Sequence, residues 1–101
     1  MTNWNEQTAK SLYFKPNNWT KGESHTFEFV ETKPEVSKTG NKWVSVNFLG
    51  SKDDKPGEWT GPTWMFDVTQ MVDKHGPEDD NWKGKLCSVV YDGTIFKIIP
   101  A

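Results

Sequence analysis

The consecutive stretches SHTFEFVETK (24–33), PEVSKTGN (34–41) and KWVSVNFL (42–49) decide the fold. In the first, His25, Phe27 and Phe29 alternate with Thr26 and Glu28, the period of two that puts successive side chains on opposite faces of a strand. In the third, Val44, Val46 and Phe48 form one face, and Trp43, Ser45, Asn47 and Leu49 form the other. The apolar set is expected to face the core. Between them, Thr39-Gly40-Asn41 supplies residues that tolerate positive φ, so the two strands are expected to pair as an antiparallel hairpin.

Working outward, GSKDDKPG (50–57) reads as a polar loop. Residues 58–66 are aromatic-rich and predict a third strand, interrupted by Gly61-Pro62, where a proline demands an edge or a bulge. Asp67 suits a helix N-cap with Gln70 as its capping-box partner, and Val68, Met71 and Val72 follow at helical spacing. Gly76-Pro77 ends that helix after about two turns. A loop carrying Trp82 leads to a fourth strand over 85–91. Asp92-Gly93 then predicts a two-residue turn into a fifth strand over 94–99, with Phe96 and Ile98 opposite Ile95 and Ile99. Before all of these, residues 1–21 are polar with scattered aromatics (Trp4, Tyr13, Phe14, Trp19), and Pro16-Asn17-Asn18 breaks any helix there. They read as an N-terminal arm docked on the domain, with a helical turn or two over 7–12. The order β-β-β-α-β-β over 22–101 predicts an all-β domain: a small five-stranded OB-like barrel with one short helix between its third and fourth strands. SH3-like barrels and small sandwiches share the strand spacing but do not expect a capped helix at that place.

A chain of 101 residues is one domain's worth. Its 14% aromatic content argues for a packed core. No apolar run approaches the length that would predict a membrane helix, roughly 18 residues or more. The opening stretch MTNWNEQTAKSLYFKPNNWT carries no apolar run that would serve as a secretory leader. A single cysteine, Cys87, cannot build a disulfide framework. A soluble cytoplasmic protein is therefore expected, in the host cytoplasm if the chain is phage-encoded. The formal net charge is −2, which predicts no polyanion partner from overall charge alone. All 12 cations are lysines, so any nucleic acid would be met at its backbone and base faces rather than read by forked guanidinium contacts.

The stretch FEFVETKPEVSKTGNKWVSVNFL (27–49), with its SKTGN turn, resembles the first hairpin of phage and prokaryotic OB-fold single-stranded DNA-binding proteins. The resemblance extends over about 22–99. It implies sequence-tolerant binding of single-stranded DNA or RNA in support of replication or recombination. The chain departs from the better-known bacterial form in having no arginine and in ending at Ile99-Pro100-Ala101, without an acidic tail.

The six tryptophans are the most informative side chains. Trp43 is expected to point away from the core as a base-stacking platform. Its alternative is burial under the arm or a dimer partner. Of Trp59 and Trp64, one is expected to face out. Tyr91 flanks the last hairpin, and Lys33, Lys38 and Lys42 are placed on the first, the two loops that line an OB-type groove. Trp82 reads as a cap on the barrel end, and Trp4 and Trp19 as anchors of the arm. His25, His75 and Cys87 lack zinc-ligand spacing. Asp53-Asp54 and Asp79-Asp80 are adjacent pairs whose side chains diverge. No metal, cofactor or enzymatic activity is expected. The expected partner is single-stranded nucleic acid, without a membrane, and a homodimer or larger homo-oligomer is compatible. Two other classes suit a small Trp-rich β domain: a carbohydrate-binding module, and a structural or assembly protein whose aromatics form a subunit interface.

Overall fold

The computed structural model describes residues 12–101. The anchoring expected of Trp4 and most of the helical turn expected over 7–12 lie outside them. The described chain is β1 (Leu12–Tyr13), β2 (Ser24–Val36), β3 (Lys42–Lys52), β4 (Lys55–Pro62), β5 (Phe66–Asp67), α1 (Thr69–His75), β6 (Leu86–Tyr91) and β7 (Phe96–Pro100), with short 3-10 turns at Pro16–Asn18, Thr63–Met65 and Asp79–Trp82. No helix among these residues is long and apolar enough to cross a membrane.

All strands join one sheet, in the order β1-β4-β3-β2-β6-β7-β5. β2, β3 and β4 are consecutive antiparallel neighbours, and β6 returns to lie antiparallel beside β2. That is a Greek key. The long β2 is shared, with 24–28 pairing β6 and 27–36 pairing β3. Its register shifts between Phe29 and Glu31, so Val30 is the extra residue of a bulge. The bulge switches the inward set from Phe27 and Phe29 to Thr32, which faces Val46.

Two expectations need correction. The sheet has seven strands rather than five, and it is not closed into a barrel. The predicted third strand breaks at Pro62, which has no N–H to give to a ladder. The chain turns through Thr63–Met65, and Phe66–Asp67 leaves β4 to pair parallel with β7. The seventh strand comes from the N-terminal side, where Leu12–Tyr13 adds parallel to the free edge of β4.

Three turns also differ from the sequence reading. The first hairpin is tighter than 34–41, because Pro34 and Glu35 stay in β2 opposite Val44 and Trp43. Its turn is Ser37 to Asn41, with Gly40 at φ +87°. The expected loop over 50–57 is a two-residue hairpin, Asp53-Asp54, with φ of 52° and 61°. Both residues in the left-handed region mark the type I′ geometry that matches strand twist. The last hairpin is longer than two residues, since Tyr91 pairs with Phe96. The Asp92 carboxylate accepts the amides of Ile95 and Thr94, each at 2.8 Å, which holds its pKa below the usual range. At α1, Asp67 accepts both the amide and the hydroxyl of Thr69, with Gln70 exposed rather than closing a capping box.

The core is aromatic, and Phe14 stands at its centre. Its ring meets Trp19, Phe27, Phe48, Trp59, Phe66 and Phe96 at centroid distances of 5.3–5.8 Å. Most of these contacts are edge-on or tilted, the geometry aromatic quadrupoles favour. Residues 12–23 are therefore built into the domain.

Candidate functional site

The inward and outward faces of β3 and β4 follow from their register. Phe48 and Trp59 are opposite one another and buried, so Trp43, Ser45, Asn47 and Thr60 lie on the outer face. Ser45 and Asn47 are themselves buried there, and Trp43 is half-buried at the edge of the hairpin. Trp64, lifted by the turn after Pro62, is 70% exposed and meets Trp43 edge-on at 6.3 Å, with 62° between the rings. Next to Trp64 in the chain, the Met65 sulfur accepts the Tyr13 hydroxyl at 3.5 Å. Tyr13 pairs with outward Thr60 and is itself exposed. Three accessible aromatics thus span β3, the end of β4 and β1, a width of about 10 Å at ordinary strand spacing.

Other predicted site residues fall elsewhere. Trp59 is 7% exposed, because β1 and the Phe14 ring cover the inner face of β4, so it offers no free stacking face. Tyr91 is buried against Phe96 at 5.0 Å, since its side chain turns inward at the end of β6. Lys33 is a strand residue rather than a loop residue, paired to Glu31 at 3.3 Å. Lys42 opens β3 opposite Val36, and Lys38 alone sits in the turn; both are exposed. Val44, expected in the core, is exposed because the β2–β3 hairpin projects past the packed rings. Glu31 and Glu35 lie opposite Asn47 and Trp43, so the outer face near the tryptophan pair carries acids as well as Lys33.

Two further lysines share a cleft at the opposite edge. A cleft of about 340 Å³ is lined by Leu12, Tyr13, Lys15, Asn18, Lys55 and Trp59. A neighbouring one shares Asn18, Lys55 and Trp59 and reaches Lys52 and Asp53. The N-terminal segment hides this feature from sequence reading, because Lys15 and Lys55 are distant in the chain and share a cleft only in the fold. Tyr13 is legible in the sequence only as a scattered aromatic.

Lys52 is the fold's buried cation. Its ammonium lies 2.7 Å from Asp53 and 3.1 Å from Glu23, and 5.1 Å from the Trp19 ring centre. Burial works against its charge, but the two carboxylates outweigh this and raise its pKa. Burial likewise pushes Glu23 up; hydrogen bonds from His25, the Thr20 amide and Lys52, with the Lys52 charge, more than offset that and hold it at about 2. Glu23, His25 and Asp53 bring one donor atom each within 4.8 Å of one another, a spacing compatible with a cation. The Lys52 ammonium already supplies one to both carboxylates. Cys87 is buried in β6, and burial pushes its thiol up to about 12, so it is no nucleophile at neutral pH. Comparison with family models, curated proteins and solved structures gives no match.

Proposed function

We propose that this chain binds single-stranded nucleic acid without sequence preference, stacking bases on Trp43, Trp64 and Tyr13 and meeting phosphates with lysines. The open Greek-key sheet with its helix after β4 supports the reading as a variant of the OB-type barrel, whose ligands cross the outer face of its second and third strands. Those strands correspond to β3 and β4. The observation that carries the proposal is the accessible Trp43–Trp64 pair on that face. Exposing so much indole surface has no packing benefit, whereas a stacked base recovers about 1–3 kcal/mol. The net charge of −2 makes phosphate contacts local, so salt should weaken binding with a log–log slope of about −0.7 for each phosphate neutralised.

The test is a titration with oligo-dT of about 20 nucleotides, a length chosen to exceed the roughly 4–16 nucleotides that one OB-type fold covers. Tryptophan fluorescence is followed at low and high salt. Quenching that salt reverses supports the reading, and unchanged fluorescence at low salt refutes it. A second reading, a homo-oligomeric assembly protein, is favoured by the projecting hairpin, which leaves Val36 and Val44 exposed. Light scattering that shows a discrete oligomer, broken by Val36→Lys, would support it. The 62° tilt of the tryptophan pair departs from the flat strip on which a sugar-binding module stacks pyranose rings.

A further inference from the structure

Resting on the single-strand reading, we propose that the cleft at the β1–β4 edge seats a phosphate group, that of the nucleotide whose base lies on Tyr13. Its lining holds two lysines, Lys15 and Lys55, and no carboxylate, in a chain whose net charge is negative. Neither lysine forms an ion pair among the described residues. The two charges are left facing one small cavity without a counterion, and an anion there removes their mutual repulsion. Asn18 adds an uncharged side-chain amide whose N–H groups can donate.

A second observation points the same way. Trp59 lines the cleft, is more than nine-tenths buried, and its indole N–H has no hydrogen-bond acceptor among the described residues. A buried donor without a partner is costly, and native structures rarely leave one. Two ammonium groups and an amide lining one cavity, beside a buried indole whose donor is unmatched, match an oxyanion carrying several acceptor oxygens. The adjoining Lys52 does not contribute, because Glu23 and Asp53 already match its charge. Tyr13 ties the cleft to the stacking face: it lines the cavity and also bonds to Met65 beside Trp64. The strand would thus cross from Trp43 and Trp64 toward Tyr13, with its phosphate entering between Lys15 and Lys55. A terminal monoester and an internal diester share this chemistry.

The full chain, labelled with nitrogen-15, is titrated with thymidine, thymidine 5′-monophosphate and the dinucleotide TpT, and the indole N–H resonances are followed. The nucleotide and TpT are expected to move the Trp59 indole signal, and thymidine at equal concentration to leave it in place. A response to the monophosphate alone assigns the seat to a strand end; a response to both assigns it to internal phosphates as well. The double variant Lys15→Ala/Lys55→Ala, which changes two surface side chains, should lose at least tenfold in affinity for the phosphorylated ligand. Its oligo-dT salt slope should fall by about 0.7, the share of the one phosphate seated there. Equal responses to thymidine and its monophosphate, or a double variant that binds like the parent, overturn the proposal. Oligo-dT binding with a silent Trp59 signal removes the phosphate seat and leaves the strand reading standing. A phosphate-dependent Trp59 shift without oligo-dT binding removes the strand reading and leaves the seat.

Discussion

Replacing Lys52 by Met should destabilise the protein by about 2 kcal/mol at pH 7, below the full cost of breaking a buried pair, and the loss should shrink in acid. The figure comes from the carboxylate side. Glu23 is held at about 2 against an ordinary 4.5. At 1.36 kcal/mol per pH unit that is roughly 3 kcal/mol of favourable interaction. Glu23 is 23% exposed, and it shares that sum among His25, the Thr20 amide and Lys52, so the lysine accounts for about 1–2 kcal/mol. Loss of the Asp53 pair and of the contact with Trp19 adds some tenths to about 1 kcal/mol. Methionine recovers part by filling the space, which keeps the total below the 3–5 kcal/mol typical when one member of a fully buried pair is removed. The sign with pH follows from the direction of the shift. A carboxylate depressed in the folded state contributes fully above its unfolded value near 4.5, and the contribution is lost as pH falls through about 2. Urea unfolding of parent and Lys52→Met at pH 7 and pH 2.5 measures both. The expected difference is about 2 kcal/mol at pH 7, falling by half or more at pH 2.5, where Glu23 takes up its proton in the unfolded chain and in the variant while still mostly ionised in the native parent. An equal difference at both pH values would show that Lys52 acts by packing alone and would refute the electrostatic account.

Phe14→Ala should cost about 3–5 kcal/mol in the same assay, the range for emptying a buried aromatic site, because six rings lose their common neighbour; a loss under about 1 kcal/mol would mean that the segment before β2 is dispensable. Asp54→Gly should stabilise by about 0.5–1 kcal/mol, since Asp54 holds φ at 61°, where glycine is unstrained; thermal unfolding would show a higher midpoint. The Cys87 thiol should react with a disulfide reagent only after the protein is unfolded in denaturant, and fast labelling of the native state would contradict its burial in β6.

How much of this can be read from sequence depends on whether the signal is local. The β2–β3 hairpin follows from alternation and from the Ser37–Asn41 turn chemistry, and the outward direction of Trp43 follows from the same period of two. The Val30 bulge leaves no such mark, so the alternation before it does not carry through to Thr32. Asp53-Asp54 looks like a polar loop because acids are common in loops, yet Asp tolerates the left-handed region and can build a two-residue turn. The longest-range features are the least legible. Phe14 lies in a polar stretch with no periodicity, and only tertiary contact makes it the core centre. Lys15 and Lys55, distant in the chain, line one cleft only in the fold. Local turn chemistry therefore points to Lys33, Lys38 and Lys42 instead. Trp59 and Trp64 flank Gly61-Pro62, and a turn there erases the phase that would tell inside from outside.

The most direct test of the stacking account is the affinity of Trp43→Ala, Trp64→Ala and the double variant for oligo-dT, measured by anisotropy of a labelled oligonucleotide at low salt. Each single change should cost about 1–3 kcal/mol, or about 5- to 150-fold in affinity, and the double should approach loss of binding. Circular dichroism should stay unchanged, because both rings lie on the outer face. A double variant that binds oligo-dT as tightly as the parent would contradict the account.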